Sequence, residues 1–175
     1  MNQNRKNMSK YKLINNISGW AVFAVAATVY LLTIEPTASF WDCGEFITSA
    51  YKLEVGHPPG APFFMLVGNF FTQLARDTSQ VAMMVNIMSA LMSAFTILFL
   101  FWTITHLTRK LLLKKSDDVL TVGQTIAVIG SGVVGALVYT FSDTFWFSAV
   151  EGEVYAFSSM LTALVFWLIL KWEDN

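Results

Sequence analysis

Four long apolar runs divide the chain: about Ile17 to Ile34, Val81 to Thr105, Val122 to Phe141 and Val154 to Trp172. None holds an Asp, Glu, Lys or Arg in its interior. About 20 helical residues cross the roughly 30 Å of hydrocarbon in a bilayer, so the pattern predicts four membrane spans. The division is a tail over residues 1–16 and one membrane domain over 17–175, with a long loop at 35–80 between the first two spans. A cleaved signal peptide would also start basic and then turn apolar. This first run is long for such a leader and further spans follow, so it is read as uncleaved.

The 35–80 loop is too long to be structureless in a compact protein. Within it, Phe46, Ile47, Ala50 and Leu53 recur at helical spacing, with Asp42, Glu45, Ser49 and Lys52 opposite. That predicts an amphipathic helix from Asp42 to Val55 lying in the interface, with Ser39 opening a capping box. A second short helix, Phe63 to about Ala75, follows with Pro62 in its first turn. The Pro58-Pro59-Gly60 turn between them sets their angle, since proline locks φ and glycine admits positive φ. The expected fold is therefore all-α: a polytopic membrane protein with four spans and two short interfacial helices.

Composition agrees. The chain is 55% hydrophobic and 13% charged, where a soluble domain carries about a quarter charged residues. The net charge of −1 and the absence of a basic stripe exclude nucleic acid as a partner. A single cysteine, Cys43, excludes an internal disulfide and is read as a small filler. Basic residues gather before the first span (Arg5, Lys6, Lys10, Lys12) and in an expected loop from Arg109 to Lys115. Acidic ones (Asp42, Glu45, Glu54, Asp143, Glu151, Glu153) fall in the other two loops. The positive-inside rule puts the N-terminus in the cytoplasm and both acidic loops outside.

Ionisable residues kept at a membrane boundary are functional candidates. Asp42 and Glu45 can act as general bases, and His57, Lys52 or Arg76 can neutralise an anion. Glu151 and Glu153 read either as a polar rim or as walls of the same outer cavity, and Asp143 as a turn residue beside Ser142. A divalent cation between the acidic loops is chemically conceivable but not expected, so no cofactor is assigned. Gly130-Ser131-Gly132-Val133-Val134-Gly135 has the dinucleotide spacing G-x-G-x-x-G, yet lies mid-span with no strand before it; close helix packing explains it better. Met83, Met84, Met88 and Met92 are read as packing residues that could also line a lipid groove.

Ser39-Phe40-Trp41-Asp42-Cys43-Gly44-Glu45-Phe46 with Gly56-His57-Pro58-Pro59-Gly60, and later Phe141-Ser142-Asp143-Thr144-Phe145-Trp146 with Glu151, Glu153, Val154 and Tyr155, resemble the GT-C membrane glycosyltransferases. The wording is similar to a bacterial branch, long called a domain of unknown function, that is related to an animal transmembrane protein O-mannosyltransferase. The resemblance implies transfer of a sugar from a polyprenyl-phosphate donor to an acceptor hydroxyl, on a protein Ser or Thr or on a glycan, at the outer side of a bacterial inner membrane. It implies Asp42 as base with Glu45 in reserve; by their own chemistry, His57, Lys52, Glu151 and Glu153 are the candidate substrate contacts. GT-C enzymes have seven or more spans, so the chain is expected to be the N-terminal part of a larger enzyme. Two other functions compete: a non-catalytic assembly subunit whose acidic loop docks a partner, and a transporter. The spans lack the ionisable residues and broken helices that transport favours.

Overall fold

The computed structural model describes residues 3–58, 60–113 and 119–173. Among these every regular element is helical. The order is α1 (Gln3–Leu32), α2 (Cys43–Lys52), α3 (Pro62–Thr72), α4 (Val81–Leu112), α5 (Val122–Thr140), α6 (Asp143–Ala149) and α7 (Val154–Glu173), with a single 3₁₀ turn at Thr78–Gln80. Four of these helices are long and apolar enough to cross a membrane. Together they make this an integral membrane protein, as the apolar runs predict.

Two boundaries differ from expectation. α1 begins at Gln3, so the described part of the expected tail is helix. α4 continues to Leu112 and takes Arg109 and Lys110 into its last turn, where cations meet the negative end of the helix dipole. Lys110 then pairs with Glu173 at 2.9 Å, tying the ends of α4 and α7. Lys114 and Lys115, which helped to orient the chain, lie outside the described residues.

α4 is the axis of the bundle: α1, α5 and α7 all pack on it. Of its most apolar window, 56% is buried, against 22% for α1 and 17% each for α5 and α7. Helices of such uniform apolarity need protein or lipid on every side. α4 finds protein, and the others turn residues such as Val134, Val138, Val165 and Ile169 outward. One cluster joins Val22, Ala26, Tyr30, Ala94, Ile97, Phe101 and Ala136. Small residues let the backbones close in. A β-carbon on Gly132 would come within 2.5 Å of Thr105 and 2.8 Å of Phe101, and one on Gly135 within 2.7 Å of Ile104. The glycine run is thus a packing seam of α5 on α4, as its mid-span position implies. Met88 is fully buried while Met83, Met84 and Met92 are half-buried, in line with packing.

A second cluster unites α2 and α3 with α4 and the start of α7 through Cys43, Phe46, Ala50, Phe64, Met65, Val85, Met88 and Phe157. It sits at the end of the bundle that holds both acidic loops.

Candidate functional site

The chain leaves α1 and is pinned before it reaches α2. Asn86 of α4, fully buried, donates from Nδ2 to the carbonyls of Glu35 (2.6 Å) and Thr37 (3.0 Å). The Glu35 N–H donates to the Val150 carbonyl at 3.1 Å, and the Trp146 indole donates to Thr33 Oγ1 at 2.9 Å. Three chain segments far apart in sequence are thereby fixed side by side.

α2 starts differently from the expected capping box. Its N-cap is Asp42, three residues after Ser39, and no side-chain cap forms. The turn before it places Trp41 at φ 60, a conformation that costs a non-glycine residue on the order of 1–3 kcal/mol and clusters at functional sites. Freed from capping, the Asp42 side chain is exposed. The amphipathic pattern holds for Phe46, Ile47 and Ala50, which are buried, but not at the end of the helix. Ser49 is buried, and Leu53 is exposed at φ 54 as the left-handed C-cap, with the Glu54 N–H donating to the Ser49 carbonyl at 2.9 Å. The cap turns the chain before the fourth apolar position can reach the core.

The corner between α2 and α3 has more supports than the proline turn. Gly60 takes φ 71 and its N–H donates to the His57 carbonyl at 2.9 Å; Pro59 itself lies outside the described residues. Asn69 of α3 donates to the carbonyls of Ala50 and Tyr51, both at 3.0 Å, which satisfies two orphan groups at the end of α2. Gly68 admits close contact, since a β-carbon there would lie 2.9 Å from that of Ala50.

That corner brings Asp42, Glu45 and His57 together, with one donor atom of each within 4.8 Å of the others, all exposed. Both Glu45 oxygens are engaged: Oε1 accepts the His57 backbone N–H at 2.6 Å and Oε2 lies 3.0 Å from Nδ1. The backbone N–H of His57, and then its ring, hold the Glu45 carboxyl below the ordinary 4.5. The ring hydrogen bond that His57 donates to Glu45, the Glu45 charge, and more weakly the Asp42 charge hold His57 above the ordinary 6.5. The His57 share of the pair's stability is complete below pH 6.5 and is lost as pH rises through the raised value. The Glu45 share is complete above 4.5 and is lost as pH falls through the lowered value. The corner is therefore firmest in the mildly acidic window between them. An NMR titration of His57 should give a midpoint above 6.5, and Glu45→Gln should bring it down. An unchanged midpoint would mean that the pair does not form.

Glu151 and Glu153, read from sequence as a polar rim or as walls of the outer cavity, are buried at 4% and 6% exposure. Gly152 between them lies against Asn86, Ile47 and Val85. Cys43 is fully buried, and its Sγ donates to Glu153 Oε1 at 3.4 Å. Cys43, Glu151 and Glu153 form a second compact group, again with donor atoms within 4.8 Å. Sequence reasoning took Cys43 for a filler, and only its place next to Asp42 hinted at more. Burial raises Glu153 above its ordinary value; the hydrogen bond from the Cys43 thiol opposes this, and the charges of Glu151 and Asp42 add smaller upward pushes. The thiol is itself pushed up by burial and by both carboxylates. Because the folded state holds the Glu153 proton more tightly, its contribution is full below pH 4.5 and is lost as pH rises through the raised value. Glu153→Gln should therefore melt higher than the parent at neutral pH, with the gap closing in acid. A gap independent of pH would exclude this titration.

Lys52 does not join either group: it ends α2, about 15 Å along the axis from Asp42. Arg76 is exposed in the turn after α3. Asp143, read from sequence as a turn residue, opens α6 in its first turn, where a carboxylate suits the dipole.

A family model described as the protein O-mannosyl-transferase TMEM260 N-terminal domain matches residues 42–175. The chain is also similar to protein O-mannosyl-transferase TMEM260 of Mus musculus, 30% identical over 154 residues covering 88% of this chain and 19% of the relative. The Dictyostelium discoideum protein of that name is 27% identical over 148 residues, 84% of this chain and 16% of the relative. The chain thus spans less than a fifth of the length of these curated relatives, both of them eukaryotic. No solved structure matches.

Proposed function

Because this chain belongs to the family of protein O-mannosyl-transferase TMEM260 N-terminal domains, we propose that it forms the acceptor-activating corner of a membrane glycosyltransferase. In this reading the intact enzyme moves a sugar, mannose by analogy with the relatives, from a polyprenyl-phosphate carrier to a Ser or Thr hydroxyl. The reaction takes place on the outer side of the membrane. The first resemblance suggests a bacterial inner membrane. Residues 17–175 act as one membrane domain, with 1–16 on the cytoplasmic side.

One observation carries the reading. An exposed carboxylate with no structural duty, Asp42, stands beside a histidine that Glu45 fixes in place, at the end of the bundle where both acidic loops meet. Asp42 is the base that takes the hydroxyl proton as the anomeric carbon is attacked. Glu45, with both oxygens engaged, serves as a positioning residue. Its bond to Nδ1 leaves Nε2 of His57 to face the carrier phosphate, whose charge grows as the bond to the sugar breaks. Glu151 and Glu153 are buried in this arrangement, and Glu153, through Cys43, sets the position of the start of α2.

The test is transfer of labelled mannose from a polyprenyl-phosphate donor to a Ser/Thr peptide, by membranes holding the intact protein. Transfer that needs both the carrier and a hydroxyl peptide is expected. Normal co-purification with another catalytic chain, but no transfer, would favour the assembly role instead. Sidedness is read separately in a Cys43→Ser background: Glu54→Cys should react with an impermeant thiol reagent from outside and Leu113→Cys should not. The opposite pattern would invert the orientation.

A further inference from the structure

We propose that the opposite end of the bundle holds a site for one anionic phospholipid, in the groove between the start of α1, the end of α4 and the start of α5. The groove encloses about 610 Å³, within the usual range for a small-molecule site. Its floor and walls are apolar, and its rim carries Lys10 and Arg109. Arg109 sits half-buried, its guanidinium 5.7 Å over the Tyr11 ring and 3.6 Å from the Met8 sulfur, and Lys12 and Lys171 share a neighbouring cavity with it. Among the described residues no carboxylate lies within ion-pair reach of it. A half-buried cation favours an anionic partner, and a phosphate at the rim would supply one.

The shape decides which anion. From Val122 to Gly130 the groove follows α5 for about 12 Å, and its edges at Ile14 (45% exposed) and Ile126 (67% exposed) are open sideways. A soluble phosphate would leave this length dry and unfilled. A phospholipid places its headgroup on Arg109 and Lys10 and one acyl chain along Ile14, Ile126 and Ile129. The cations lie at the very end of α4 and early in α1, the level at which headgroups meet a spanning helix.

The experiment reconstitutes the intact protein in nanodiscs of phosphatidylcholine doped with phosphatidylglycerol, extracts it in detergent and reads retained lipid by native mass spectrometry. One phosphatidylglycerol should remain per protein, in preference to phosphatidylcholine. Each of Arg109→Gln and Lys10→Gln should weaken retention about fivefold. Ile126→Trp, which leaves both cations in place, should expel the lipid by filling the groove. Helix content measured by circular dichroism should match the parent in all three. Equal retention of the two lipids, no retained lipid at all, or retention indifferent to every substitution would overturn the proposal. So would displacement by glycerol phosphate, which would make this a free-anion site.

Discussion

Asp42→Asn in the intact protein should abolish sugar transfer while leaving membrane insertion and thermal stability as they were. A positioned base contributes about 10²–10⁴-fold, equivalent to roughly 3–5 kcal/mol of barrier. Asparagine keeps the shape but cannot take a proton. The substitution separates chemistry from folding because Asp42 makes no cap hydrogen bond to α2 and its side chain is exposed. Exposed substitutions away from such contacts shift stability by about 0.5 kcal/mol or less. Glu45→Gln should cost less than Asp42→Asn and should do so through His57. If Asp42→Asn retained activity, the base would have to be sought elsewhere. If it also unfolded the protein, Asp42 would be a structural residue that the geometry does not reveal.

The largest structural effect is expected at Gly152. A β-carbon there would meet Asn86 Oδ1 at 2.8 Å and the Cγ1 atoms of Ile47 and Val85 at 3.1 Å each. Asn86 cannot step aside, because its amide nitrogen already holds the carbonyls of Glu35 and Thr37. Ile47 belongs to the buried face of α2, so any yielding there moves the helix that Asp42 starts. Gly152→Val should therefore cost about 1–3 kcal/mol by overpacking, read as a lower melting temperature in detergent. It should also depress transfer well beyond the loss of folded protein. Gly152→Ala should show the same effects more weakly, and adding Val85→Ala, which clears one of the three contacts, should restore part of both. Absence of any rescue would mean that the strain is carried by Asn86 alone. Wild-type behaviour of Gly152→Val would show that the 151–153 turn is free to lift off α4.

Both expectations rest on contacts between loops more than a hundred residues apart, such as Cys43 with Glu153 and Glu35 with Val150. Local sequence cannot express such contacts. Cys43 looked inert because a lone cysteine has no covalent partner, and its significance lies in burial between two carboxylates. Glu151 and Glu153 read either as a wet rim or as cavity walls, because spacing along the chain does not say what lies opposite them; Gly152 draws them inward by letting the chain lie against α4. Ser39 satisfied the spacing rule for a cap, but the left-handed turn at Trp41 moved the start of the helix to Cys43, with Asp42 as its cap.

What the chain determined alone was everything governed by period and solvent preference: four spans, the helical character of the long loop, the break at His57 to Gly60, and the packing role of the glycine seam. These follow from one-dimensional rules, since a backbone in hydrocarbon must satisfy its own hydrogen bonds and apolar length sets what can cross. The tertiary structure alone decided which carboxylate stays free, which is clamped to a histidine and which two are buried. Those fates depend on what lies opposite each side chain once α4 has gathered the loops at one end, and neighbours across that gap share no spacing in sequence.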